Sequence, residues 1–468
     1  MTEEGARLNF ARDLDARGGG GVAGWGATAS GGGTGGATDV ASPEFGASAE
    51  TTAPSVERQL FDRQTGGVTA NLAERVADAT AAETEVGGGG GGAAPAMSPF
   101  PDRFVQPHAS LTKRDKLNAA FDGAIAAAAA DPAFSSLPDV HTIPIAIVSL
   151  DSDGARPLAG QRHFEMFFSG SMLKVAAMYA AFHLRVAVND FAISAGIMAD
   201  PAKFGKVANA FDPQIVNAVE RINNAKQPIR KELRVPKYKD IFAMTGDLLS
   251  WTPVFDLHLE KMVVESDNDS ASFCIRALGY SWINGLLQAA GFYEPDLTSR
   301  EGVWLAGAFD TKTPVVRIAS ANDRMVMQAT TCYHMAWLLV ELADKVLVKT
   351  NPGGPDGNTD MLGLLARAVS NPHARSVIRR PFEPGPAPFN ILHTKIGVGD
   401  LKGGSCKSSN MDRCVFSEAS ILEHPPSGRK FVVVWQDHTF LKDHPSWWED
   451  GLRRIAAIIR KTMDDYSP

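Results

Sequence analysis

Cysteine is scarce in this chain, with four residues in 468, and no two of them stand in a C-x-x-C spacing. With no matching histidine pattern either, a zinc site of the finger or ribbon kind is excluded. Cys274, Cys332, Cys406 and Cys414 read as four free thiols, although Cys406 and Cys414 flank a polar loop that a cross-link could close in an oxidising compartment. No polybasic run occurs and the formal net charge is −7, so nucleic acid is not expected as a partner. No apolar stretch reads as long enough for the ~18 residues of a membrane span. The first residues carry acids and no apolar h-region, so no Sec signal peptide is recognised, and Met97 as an alternative start is followed by none. Cytoplasmic placement is the default that follows.

Large apolar residues are also sparse in the first hundred positions. Glycine takes their place, in runs such as Gly18–Gly21, Gly31–Gly33 and Gly87–Gly92. Such a segment cannot recover the entropy of ordering, so residues 1–110 read as a disordered Gly/Ala-rich arm. The remaining residues, 111–468, are ample for one core.

Within that part the periodicities alternate in a definite order. LTKRDKLNAAFDGAIAAAA from Leu111 is a helix of good formers that stops at Asp131-Pro132. The β-branched run IPIAIVSL (143–150), a turn at Asp153-Gly154 and a second extended run make a hairpin. Ser171–Val186 is a nearly all-apolar helix, fit for a core. Residues 188–250 read as a helical insertion, 256–279 as helix, loop and helix, and 332–347 as another strong helix. Three strand-like runs follow, FNILHTKIG, CVFSEASILE and RKFVVVWQD, and then an amphipathic helix with Trp447 and Trp448 at its start. The fold class is α+β: an antiparallel sheet built from both chain ends, with an all-helical region inserted.

Three short motifs fall on this frame in order. Ser171-Met172-Leu173-Lys174 opens the apolar helix, Ser266-Asp267-Asn268 lies in the loop between helices, and Lys395-Ile396-Gly397 ends a strand. A serine hydroxyl is a poor nucleophile without a base in reach, and positions i and i+3 share a helix face. Desolvation and the positive end of the helix would push Lys174 toward its neutral, basic form. Context matters, since Ser110-Leu111-Thr112-Lys113 matches S-x-x-K as well, with no strand before it, and is assigned to chance.

S-x-x-K, S-D-N and K-[ST]-G in that order are the signature of penicillin-recognising serine enzymes. The chain resembles the class A β-lactamase and penicillin-binding-protein superfamily across about 112–465, and Lys395 to Gly403 follows the family's longer K-[ST]-G-x-G-[ED]-x-x-G pattern. The resemblance implies a β-lactamase/transpeptidase-like fold and a serine hydrolase acting on a small-molecule or peptide-like acyl substrate, with no metal or organic cofactor, as a monomer. It further implies an extracytoplasmic site of action. By the same resemblance Ser171 is the nucleophile, Lys174 the general base, and Ser266 with Lys395 the proton relay. Asn268 and Ile396 contact substrate, Gly397 lets substrate approach, and the backbone N–H of Val398 joins that of Ser171 in an oxyanion hole. Asp267 is structural.

Two departures stand out. Ile396 replaces a hydroxyl residue, which should weaken recognition of a substrate carboxylate and favour simple esters or amides over penicillins. The deacylating E-x-x-L-N has only Arg300-Glu301-Gly302-Val303-Trp304-Leu305 as a counterpart, upstream of Thr330-Thr331-Cys332-Tyr333-His334-Met335-Ala336, with Glu301 as the candidate base. These departures sustain an alternative reading, a catalytically inactive binding module that kept the fold. No G-x-S-x-G or H-E-x-x-H competes, so His163, His258, His393, His438 and His444 read as core or surface groups, with His393 nearest the cleft.

Overall fold

A computed structural model describes residues 97–104, 111–225, 229–296, 300–309, 316–350, 356–372, 374–383, 385–405, 412–437 and 447–468. The arm over 1–96, Cys406, His438 and His444 lie outside the described residues, as do the side chains of Trp447 and Trp448. Residues 97–104 belong to the folded unit, upstream of the boundary expected at 110: Phe100 stacks on Trp282 at 5.4 Å, and Phe104 meets Phe292 at 5.7 Å.

The longer elements follow in chain order: α1 (Leu111–Ala130), β1 (Ile145–Leu150), β2 (Leu158–Gln161), α2 (Lys174–Ser194), α3 (Lys203–Ile215), α4 (Pro253–Glu260), α5 (Asn268–Leu278) and α6 (Tyr280–Ala290). Next come α7 (Cys332–Ala343), α8 (Gly357–Ser370), β3 (Asn390–Ser405), β4 (Asp412–Glu423), β5 (Lys430–Asp437) and α9 (Trp447–Asp465). The main sheet has the order β2-β1-β5-β4-β3, with antiparallel neighbours throughout. Its strands come from both ends of the folded unit, and the helices between β2 and β3 fill one side.

Strand alternation divides the interior into two cores. On β5, Phe431, Val433 and Trp435 face the terminal helices and pack with Ile455 and Ile459 of α9 and Phe121 of α1. Val432 and Val434 face the inserted helices and join Ala176, Ala180 and Met335. The run FVVVW is therefore continuously apolar because both faces of the sheet are covered.

Three expectations change. Gly170–Ser194 is long and apolar enough to cross a membrane by length and composition, and here its apolar stretch is buried in the helical core, with Ile193 and Ser194 exposed at its end. Residues 188–250 are not purely helical: Phe242–Thr245 and Leu248–Trp251 form a hairpin, tied to α2 by Asn189, whose Nδ2 donates to the Leu249 carbonyl. Their side chains make no bond to Ser171, Lys174, Ser266 or Lys395 among the described residues. The four-thiol reading also fails. Cys414 is disulfide-bonded, while Cys274 and Cys332 are buried free thiols whose pKa values burial drives up.

Candidate active site

The mouth of α2 is built by close backbone contact. Ser171 sits in a 3-10 turn, Gly170–Leu173, that runs directly into α2 at Lys174. Residues i and i+3 eclipse in such a turn, so positions 171 and 174 are on one side. Gly170 has φ +54°, and a Cβ there would lie 2.7 Å from the Val398 carbonyl oxygen and 3.0 Å from its nitrogen. At Gly397 a Cβ would meet the Ser169 carbonyl at 1.9 Å and the Met172 nitrogen at 2.8 Å. The nucleophile turn and the edge strand β3 are therefore seated backbone on backbone, and only glycine fits between them. The Ser417 hydroxyl of β4 donates to the Ser169 carbonyl at 2.7 Å and pins the same turn.

A second strained turn brings in the next hydroxyl. After α4 the chain unwinds slightly into a π-turn, Lys261–Glu265, and Ser266 takes a left-handed conformation at φ 59°. That geometry costs a non-glycine residue of order 1 kcal/mol and is found where a side chain must be aimed. Asp267 then caps α5, its Oδ1 accepting from Ser270 N at 2.8 Å, the structural role expected of it.

Both lysine amines converge on Ser266. Lys395 Nζ donates to Ser266 Oγ at 2.7 Å. Lys174 Nζ bonds the Ser266 carbonyl and Asn268 Oδ1, the latter at 2.8 Å, and lies 3.5 Å from Ser266 Oγ. Lys174 is fully buried and Lys395 is 1% exposed, and neither forms an ion pair among the described residues. Desolvation, then repulsion from Lys395, holds Lys174 well below the usual lysine range against the pull of Asp267. Desolvation lowers Lys395 to about 7. The site thus stores two amines poised to take up or release a proton.

Where the sequence and the structure part is instructive. Ser171 was expected to meet Lys174, yet its hydroxyl takes no hydrogen bond among the described residues. A peptide carbonyl and an amide oxygen are stronger acceptors than a hydroxyl, and they draw the amine to Ser266 and Asn268. Ile396 does not line the site: its side chain is 4% exposed and packs in the core with the terminal helices, because strand alternation sends it to the face opposite Lys395. Glu301 is held elsewhere, by Arg221 at 2.6 Å and by the Tyr293 hydroxyl at 3.0 Å. That carboxylate makes no bond to Ser171, Lys174, Ser266 or Lys395.

The second S-x-x-K copy is accounted for by Lys113, which pairs with Asp151 and Asp153. His393 lies two residues before Lys395 on the same strand face, and burial depresses it to about 4. His163 is buried beside Phe164, and His258 stacks on Phe273 and meets Ser270. A Ser427–His424–Asp464 chain exists that sequence reading missed. Ser427 is exposed and also accepts from Arg429 N and Nε, so the chain locks the β4–β5 turn to α9. Among the described residues, no group of three or more His, Cys, Asp or Glu side chains is placed to hold a metal ion. Sequence reading also missed Phe309, whose ring centroid lies 4.6 Å from Lys174 Nζ. No local pattern marks it.

A sheet closed from both chain ends around an inserted helical region gives the chain a β-lactamase/transpeptidase-like fold, and its three motifs meet at one hydroxyl. No family model and no curated protein sequence matches the chain. Among solved structures it is similar to a β-lactamase from Sphaerobacter thermophilus, at 15% identity over 74% of this chain and 96% of that one, with a TM-score of 0.36. It is also similar to a class A β-lactamase from Bacteroides cellulosilyticus, at 14% identity over 75% and 98%, with a TM-score of 0.40. A third is PBP-A, at 12% identity over 78% and 99%, with a TM-score of 0.36.

Proposed function

We propose that the chain is a serine hydrolase that forms an acyl-enzyme on Ser171 with an amide or ester substrate, β-lactam or peptide-like. One observation carries the proposal: two buried amines, with no ion pair among the described residues, converge on one serine hydroxyl, and one of them lies three residues after a second serine at the mouth of a buried helix. Burying an ammonium costs several kcal/mol, and a core with no chemistry to perform gains nothing from two of them.

In this reading the neutral Lys174 amine takes the Ser171 proton as Oγ bonds to the acyl carbon. The N–H groups of Ser171 and Val398 hold the oxyanion. Ser266 then passes its proton to the leaving nitrogen or oxygen as its bond to carbon breaks, and takes back from Lys174 the proton drawn from Ser171, while Lys395 holds the Ser266 oxygen through the exchange. Asn268 is half of the Lys174 anchor and is exposed at its outer side, where a substrate acyl chain would lie. Gly397, expected to admit substrate, instead admits the nucleophile turn, whose Ser169 carbonyl lies where a Cβ would stand.

Intact mass after incubation with a fluorescent penicillin and, separately, with a fluorophosphonate tests the proposal. An adduct that disappears in Ser171→Ala is expected. Silence with both reagents would favour the binding-module reading instead.

A further inference from the structure

The environment of Lys174 is asymmetric. An ammonium has three N–H bonds, and two of them are spent on the Ser266 carbonyl and Asn268 Oδ1. The ring of Phe309 covers another side, with its centroid 4.6 Å from Nζ. Phe309 follows the short strand Trp304–Leu305 and packs partly buried against the helical core. Its loop is anchored by Ala306 N donating to Met327 O, and by Trp304 Nε1 donating to Val316 O.

The charged groups acting on Lys174 come from two other elements, Lys395 on β3 and Asp267 at the start of α5. Burial and Lys395 favour the neutral amine, and Asp267 favours the cation. An aromatic face is electron-rich and also favours the cation.

Resting on the acyl-enzyme reading above, we propose that Phe309 is a positioning residue for acylation. Its ring face holds the Lys174 amine against Ser266 and Asn268 and weights it toward the charged state, which sets the pH at which the amine becomes a base for Ser171. In this proposal Phe309 acts through Lys174, the group its ring covers.

The test is the pH dependence of Ser171 labelling by a fluorophosphonate, in wild type, Phe309→Leu and Phe309→Tyr. A parallel NMR titration of 13Cε-lysine, with the Lys174 signal assigned by Lys174→Arg, reads the amine without any reaction. Leucine keeps the apolar cover and loses the ring face; tyrosine keeps both. In the leucine variant the acidic limb and the Lys174 midpoint should both move down by about 0.4 to 1.5 pH units. The tyrosine variant should keep the wild-type profile. A leucine variant that labels more slowly by the same factor at every pH, with an unmoved midpoint, would overturn the inference. Wild-type protein unlabelled by either serine reagent would instead sink the acyl-enzyme reading, while the NMR midpoints still judge Phe309.

Discussion

Adding one methyl group at position 397 should disable the site. In Gly397→Ala the new Cβ would stand 1.9 Å from the Ser169 carbonyl oxygen, 2.4 Å from Ser417 Oγ and 2.8 Å from the Met172 nitrogen. Ser417 Oγ could rotate away, at the loss of its bond to Ser169. The other two atoms are backbone and belong to the turn that carries Ser171. Restoring ordinary contact requires a separation of about 1.5 Å between β3 and that turn. Overpacking of this kind costs about 1–3 kcal/mol. The functional loss should be larger than the stability loss, because a 1 Å misplacement of reacting groups costs about a hundredfold in rate. Stopped-flow acylation and thermal melting, run side by side, should show a variant that stays folded and acylates at least a hundredfold more slowly. Gly123→Ala in α1 is the control, since a Cβ there meets nothing within 4 Å and should stabilise by up to about 1 kcal/mol. Wild-type acylation in Gly397→Ala would refute the backbone-on-backbone seating of the nucleophile.

Two further outcomes follow from the charges. Lys395 is held near 7 in the folded state, against 10.5 for the ordinary side chain. Between those values the unfolded chain binds the extra proton, so stability should rise with pH across that window, by up to about 1.4 kcal/mol per pH unit. Denaturant melts at stepped pH should show this rise, and Lys395→Met should flatten it; an unchanged slope in the variant would show that the amine is not buried in its neutral form. For Glu301, Glu301→Gln should leave deacylation within about twofold, while losing about 1–3 kcal/mol from the broken Arg221 pair. A hundredfold fall in deacylation, the size of a general-base contribution, would return Glu301 to the site.

What the sequence made legible was the part encoded in local pattern. The helix from Leu111 to Ala130 is written in good helix formers, the segment after Ser171 is apolar over a length that strands rarely reach, and the run at 145–150 is short, β-branched and bounded by turn residues. The first two motifs could be placed because each lies at an element boundary; the third lies inside β3, which runs on past Gly397 to Ser405 instead of ending there. The unread parts depend on contacts between distant segments. Which strand face Ile396 occupies is set by the register Glu418↔Ile396 and Ala419↔Lys395, not by its neighbours in the chain. The partner of Glu301 could not be read because Arg221 lies eighty positions upstream, in a region whose mixed pattern gave no position in space. Phe309 was invisible for the same reason, since nothing near it in sequence announces a lysine across the fold.

The strand beside Lys395 explains how two amines can be kept buried and still. Consecutive residues of β4 act on opposite faces of the sheet. Ser417 holds the Ser169 carbonyl on the side of the nucleophile turn. Glu418, fully buried on the other side, accepts from Val377 N at 2.8 Å, Ile378 N at 3.2 Å, Thr394 Oγ1 at 3.0 Å and Ser420 Oγ at 2.7 Å. A carboxylate with that many donors is fully satisfied, and it fixes β3 one residue before Lys395. The acid that a buried lysine would ordinarily recruit as a counter-ion is thus present in the sheet but spent on the opposite face. Lys395 is left to find a hydroxyl instead, and a neutral amine bonded to a hydroxyl can move a proton, whereas an ammonium locked to a carboxylate cannot.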